Sequence, residues 1–113
     1  MDAPATADAS DLRVLLCTAP AERAEDIARA LLEPRLAACV NIVPGLTSLY
    51  WWKGELCRDG ESLLVIKTRA TLVEALHRRL VEVHPYDTPE LLALPLVEGA
   101  ERYLGWVRSE TRS

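Results

Sequence analysis

The sequence has no basic run longer than Arg78-Arg79, so it lacks the electrostatic footprint of a nucleic-acid-binding protein. Its longest uninterrupted apolar run, Leu91 to Val97, is far too short to span a bilayer. No positive region followed by an apolar stretch of signal-peptide length opens the chain, and a cytoplasmic protein is expected. Cysteine is sparse: three residues, an odd number, with no C-x-x-C spacing. That argues against a disulfide framework and for free thiols in a reducing compartment, each acting as a small apolar residue. Glycine is missing from the strand-to-helix turn Cys17-Thr18-Ala19-Pro20, so the close backbone approach that phosphate binding needs is not offered there. No internal repeat is present. No nucleophile, acid or base recurs at a spacing that fixes an enzymatic constellation, so no enzyme is expected.

What is present is an ordinary globular composition, 50% apolar and 27% charged over 113 residues, enough for one domain with a single core. The net charge is −4. Three of the 17 acids (Asp2, Asp8, Asp11) precede residue 12, where there is no Lys or Arg, so the other 14 face 13 basic residues. Residues 1–10, poor in anything to bury, are expected to form a disordered tail, and residues 11–113 a single domain.

Leu12 to Cys17 reads as a buried strand. Pro20 opens a helix with Glu22, Glu25 and Asp26 at its positive end. Its apolar positions are Ala24, Ile27, Ala28 and Leu31, and Pro34 stops it. Leu36 to Val43 is a second strand, broken by Pro44-Gly45. Leu46 to Leu56 and Ser62 to Thr68 read as a hairpin, with Asp59-Gly60 as the turn signal. Thr71-Leu72-Val73-Glu74 has capping-box spacing and opens a helix with Val73, Leu76, Leu80 and Val83 on its apolar face. Leu91 to Val97 is a strand, and Glu98 to Arg108 a short helix with Tyr103, Trp106 and Val107 inward. The fold class is α+β: a β-α-β-β-α-β ferredoxin-like sheet with an extended central hairpin and a C-terminal helix. Such a sheet leaves one face bare, and the supply of Leu, Val and Trp makes that face apolar, which implies contact between subunits. Tyr50, Trp51 and Trp52, on the hairpin, are the expected interface anchors.

The stretch His84-Pro85-Tyr86-Asp87-Thr88-Pro89-Glu90 stands out chemically. Proline excludes the preceding residue from the helical region, so His84 terminates a helix on a stiff loop, either as a metal ligand or in a capping or hydrogen-bonding role. His77, beside Arg78-Arg79, reads as a surface residue.

Cys17-Thr18-Ala19-Pro20, Leu36-Ala37-Ala38-Cys39-Val40-Asn41-Ile42, Ser48-Leu49-Tyr50-Trp51-Trp52-Lys53-Gly54, Ile66-Lys67-Thr68, the His84 to Glu90 stretch and Tyr103-Leu104-Gly105-Trp106 occur together in one order. On these segments the chain resembles the CutA-type divalent-cation tolerance proteins from about Leu12 to Glu110. The resemblance implies a homotrimer, and copper or another divalent cation as the bound ion. It carries Cys17 and His84 over as metal ligands. Glu90, Asp87 and Cys39 are further candidates by chemistry. Several bacterial relatives have two histidines before the proline; this chain has Val83 in the first place, so such a site lacks that imidazole. Cys57 falls in the expected hairpin loop and matches no family motif. The alternative is a trimeric signalling or adaptor protein of PII-like architecture with no essential metal, an analogy of fold alone.

Overall fold

A computed structural model describes residues 5–113. Its strands are β1 (Thr6–Asp8), β2 (Leu12–Ala19), β3 (Cys39–Trp52), β4 (Glu55–Arg69), β5 (Leu92–Pro95) and β6 (Glu98–Ala100). Its helices are α1 (Ala24–Leu32), α2 (Val73–Val83) and α3 (Glu101–Glu110), the first two each entered through a short 3-10 turn. The main sheet is antiparallel in the order β3-β4-β2-β5, and β1 pairs with β6 in a separate two-stranded sheet.

The core lies between one face of the main sheet and α1 and α2. Alternation along β2 and β4 sends Leu15, Cys17, Ala19, Leu64 and Ile66 to that face, where they meet Ile27, Leu31, Leu76 and Leu80. Each large aliphatic side chain buried there contributes about 1.5–3 kcal/mol. Thr68, also fully buried, donates its hydroxyl to the Leu36 carbonyl at 2.6 Å. The pairings Val14↔Leu94 and Leu16↔Leu92 place these residues on the opposite face, and Val43↔Leu63 extends the same surface. Val43, Leu92 and Leu94 are exposed there, the bare apolar face expected from the sequence.

Several boundaries differ from the sequence reading. The hairpin turns at Lys53-Gly54, not at Asp59-Gly60. Lys53 (φ 49) and Gly54 (φ 78) both take left-handed conformations, the geometry that suits a two-residue turn to strand twist. Asp59 and Gly60 lie within β4, opposite Ser48 and Thr47, and Cys57 pairs with Tyr50 rather than sitting in a loop. Pro44-Gly45 does not end the strand. From Val43↔Leu63 to Leu46↔Glu61 β3 advances three residues while β4 advances two, a bulge in which Gly45 has φ 77. The result is one long bent ribbon, and the domain measures 56 × 26 × 22 Å.

The tail is ordered earlier than expected. Thr6–Asp8 pairs with Glu98–Ala100, and Ala9 is buried with Leu12, Leu104 and Val107. Arg108 ties this segment down through the Asp11 carboxylate at 2.8 Å and the Asp8 carbonyl at 3.2 Å. The part of the expected tail in residues 1–4 lies outside the described residues. Thr71 does not cap α2, because the 3-10 turn Ala70–Leu72 makes Leu72 the N-cap, with no side-chain bond. The strand expected over Leu91 to Val97 is the shorter β5, and β6 occupies Glu98–Ala100, where the last helix is expected to begin; that helix starts at Glu101. The last helix buries Leu104 and Val107, while Tyr103 and Trp106 remain exposed.

Candidate functional site

Where the hairpin leaves the body of the domain, it faces the loop that follows α2. Between them is a cavity of about 750 Å³. Its walls come from the end of β2 (Thr18), from β3 (Thr47, Ser48, Leu49, Tyr50, Trp52), from β4 (Asp59, Glu61) and from the loop (Tyr86, Asp87, Thr88, Glu90). Four carboxylates and three aromatic rings contribute, and no Lys, Arg or His does.

His84 builds the loop side. It is the C-cap of α2, at φ −81 and ψ 139, and its backbone N–H still donates to the Leu80 carbonyl at 2.8 Å. The ring is buried. Its Nδ1 accepts the Tyr86 backbone N–H at 3.1 Å, so Nε2 carries the proton and donates to the Thr18 carbonyl at 2.8 Å. The Tyr86 ring packs against the imidazole, 4.7 Å between centroids, and its hydroxyl donates to Glu61 Oε2 at 2.8 Å. One chain of contacts therefore runs from Thr18 through His84 and Tyr86 to Glu61. Proline at position 85 keeps it short and stiff.

Burial, reinforced by the Glu61 hydrogen bond, pushes the Tyr86 phenol well above its ordinary range. Burial, and then the charge of Glu61, raises the Glu90 carboxyl. Across the cavity the Tyr50 hydroxyl bonds Asp59, and that bond is the main reason its phenol is pushed up to about 12.

The structure brings Cys17 and His84 together, but outside the cavity: Cys17 Sγ and His84 Nε2 both contact the Thr18 carbonyl, at 3.6 and 2.8 Å. Asp87 and Glu90 line the cavity; Cys17, His84 and Cys39 are not among its lining residues. Cys17 is fully buried in the core beneath the helices. Burial, with the charges of Glu90 and Glu61, pushes its thiol up to about 12, which keeps it from the thiolate form that binds metal. Both ring nitrogens of His84 are engaged by the protein. As arranged, this pair does not fit a metal ion. Cys39 lies at the start of β3 with its Sγ 3.7 Å from Asn41 Oδ1, and His77 is exposed. Among the described residues no three His, Cys, Asp or Glu side chains converge to hold an ion. Tyr50 and Trp52 line the cavity, and Trp51 is 72% exposed. Sequence reasoning missed Asp59 and Glu61 because it put Asp59 in a turn. Their period-two spacing on β4 was the available signal.

A ferredoxin-like sheet with an apolar bare face, a long hairpin and an acidic cavity at its base defines the class of domain. The chain matches the family described as CutA1 divalent ion tolerance protein over residues 13–110, and it belongs to that family. It is 52% identical over 99 residues to the divalent-cation tolerance protein CutA of Thermus thermophilus, covering 87% of this chain and 96% of the relative. The solved structure of the divalent cation tolerance protein from that organism superimposes with a TM-score of 0.87 at 51% identity, over 89% of this chain and 99% of the other. Protein CutA of Homo sapiens is 50% identical over 97 residues, 85% of this chain but only 54% of the human protein. A structure described as PII-like protein CutA from Nostoc in apo form gives a TM-score of 0.82 at 36% identity, covering 88% of this chain and 97% of that one. No helix among the described residues is long and apolar enough to cross a membrane.

Proposed function

We propose that this is a homotrimeric, cytoplasmic divalent-cation tolerance protein that binds copper or similar divalent ions at the acidic cavity and contributes to the cellular response to them. The observation that carries the reading is the cavity wall, with Asp59, Glu61, Asp87 and Glu90 and no basic side chain to neutralise them. Oxygen donors accept divalent ions, and copper heads the affinity order for a given set of ligands. Because no three donors converge among the described residues of one chain, water or a neighbouring subunit completes the coordination, and the ion exchanges readily. An exchangeable ion suits a responsive protein better than a closed structural site does.

Assembly follows from what one chain leaves open. β3 and β5 are the two edges of the sheet, and Leu49, Trp51 and Leu56 on the hairpin are all more than 60% exposed. Pairing unlike edges between copies is a heterologous contact, which closes into a ring when the rotation permits. Three cysteines with no disulfide suit a reducing compartment. No catalytic role is proposed.

Competition against a chromogenic chelator tests the reading with copper, and with zinc as a redox-inert control. Wild type should take metal from the chelator and Glu90→Gln should take less. If wild type takes none, the PII-like adaptor reading replaces this one. That second reading draws on the large uncovered apolar face and on the likeness to the Nostoc protein.

A further inference from the structure

We propose that the cavity also takes a linear polyamine, an organic ligand with several separated ammonium groups. The inference rests on the reading of the cavity as a cation site and adds a second class of occupant. A volume of about 750 Å³ is in the range of pockets that enclose small organic molecules, and is far larger than a single ion needs. The carboxylates are spread around the wall rather than gathered to one point. A single ion engages only part of such a set, with water or a neighbouring subunit supplying the rest, whereas a chain with ammonium groups several bonds apart can reach several of them.

Two further observations concern the wall itself. Glu61 is 7% exposed, and its one side-chain partner among the described residues is the Tyr86 hydroxyl on Oε2. No sealed side-chain polar atom there lacks a partner, so the unpartnered Oε1 is one that the cavity reaches. A nearly buried carboxylate with a free oxygen is a strong acceptor for an ammonium donor. The rings of Tyr50, Trp52 and Tyr86 on the same walls are not metal donors, but their faces attract ammonium groups and cover the methylenes between them. Trp52 already shows this affinity, with the Lys53 ammonium 5.9 Å from its ring centroid.

Isothermal titration calorimetry of the full chain with spermidine tests the proposal, with 1,4-butanediol as the uncharged probe and copper titrated in parallel. Spermidine should give saturable binding that weakens with added salt, and the diol should give none. Glu61→Gln and Glu90→Gln should each weaken spermidine by about tenfold. Glu90 is the more tolerant position should Glu61→Gln fail to fold. Glu74→Gln, on the exposed face of α2, should bind as wild type does, which separates the cavity from the general negative charge. Equal binding by wild type and Glu90→Gln would overturn the proposal, as would copper binding without spermidine binding, which leaves the metal reading standing. If neither binds, both readings fall.

Discussion

The hydroxyl of Tyr86 donates to Glu61 across 2.8 Å, joining two residues 25 apart in sequence, and the backbone N–H of Tyr86 is held by His84. The loop and the hairpin strand are thereby clamped to each other. Tyr86→Phe keeps the ring and removes the one donor to a nearly buried carboxylate. A loss of about 1–3 kcal/mol is expected, read as a lower urea midpoint with an unchanged slope. An unchanged midpoint would show that the clamp does not hold the loop.

Cys17 should be the slow thiol. Burial keeps it neutral and covered, while Cys39 and Cys57 are partly exposed. In reduced protein a thiol reagent near pH 8 should label two groups quickly and the third only on unfolding. Rapid labelling of all three would contradict the placement of Cys17.

Glu90 predicts a dependence of stability on pH. Its carboxyl is raised in the fold by burial and then by Glu61, so the folded chain holds that proton more tightly than the unfolded chain. The contribution is full below the unfolded value, about 4.3, and is lost as pH rises through the raised one. Glu90→Gln should therefore gain stability over wild type between about pH 4 and 7, measured by urea midpoints across that window. A constant difference over the window would contradict the assignment.

Assembly should be visible in both mass and melting. Light scattering behind a sizing column should give three chains at micromolar concentration. Covering the hairpin and sheet face, at about 25 cal/mol per Å², should lift the melting temperature above the roughly 45–65 °C of ordinary domains. A monomer or dimer would remove the trimer.

The elements that carry the core were legible because their signals are periodic. Ile27 and Leu31 on one helix and Leu76 and Leu80 on the other recur at helical spacing, and the bare face follows from the sheet order. The turn was not legible, since nothing in the letters Lys53-Gly54 marks a lysine at positive φ, whereas Asp59-Gly60 carries a strong signal and lies mid-strand. Nor was β1 foreseen, because its pairing is made by backbone groups that every sequence has. For the site, the stiff loop after His84 was legible from its prolines. The cavity was not, as its walls come from four segments brought together by the bend at Gly45. The ligand pair Cys17 and His84 does meet in space, at the Thr18 carbonyl, but the thiol is buried and neutral and both ring nitrogens are engaged.

The most direct test is a crystal of the protein soaked with zinc or copper, with the ion located by anomalous scattering. A peak inside the cavity, within coordination distance of carboxylates among Asp59, Glu61, Asp87 and Glu90, is the expected result. A peak on the His84 ring or the Cys17 sulfur, or no peak at all, would contradict it.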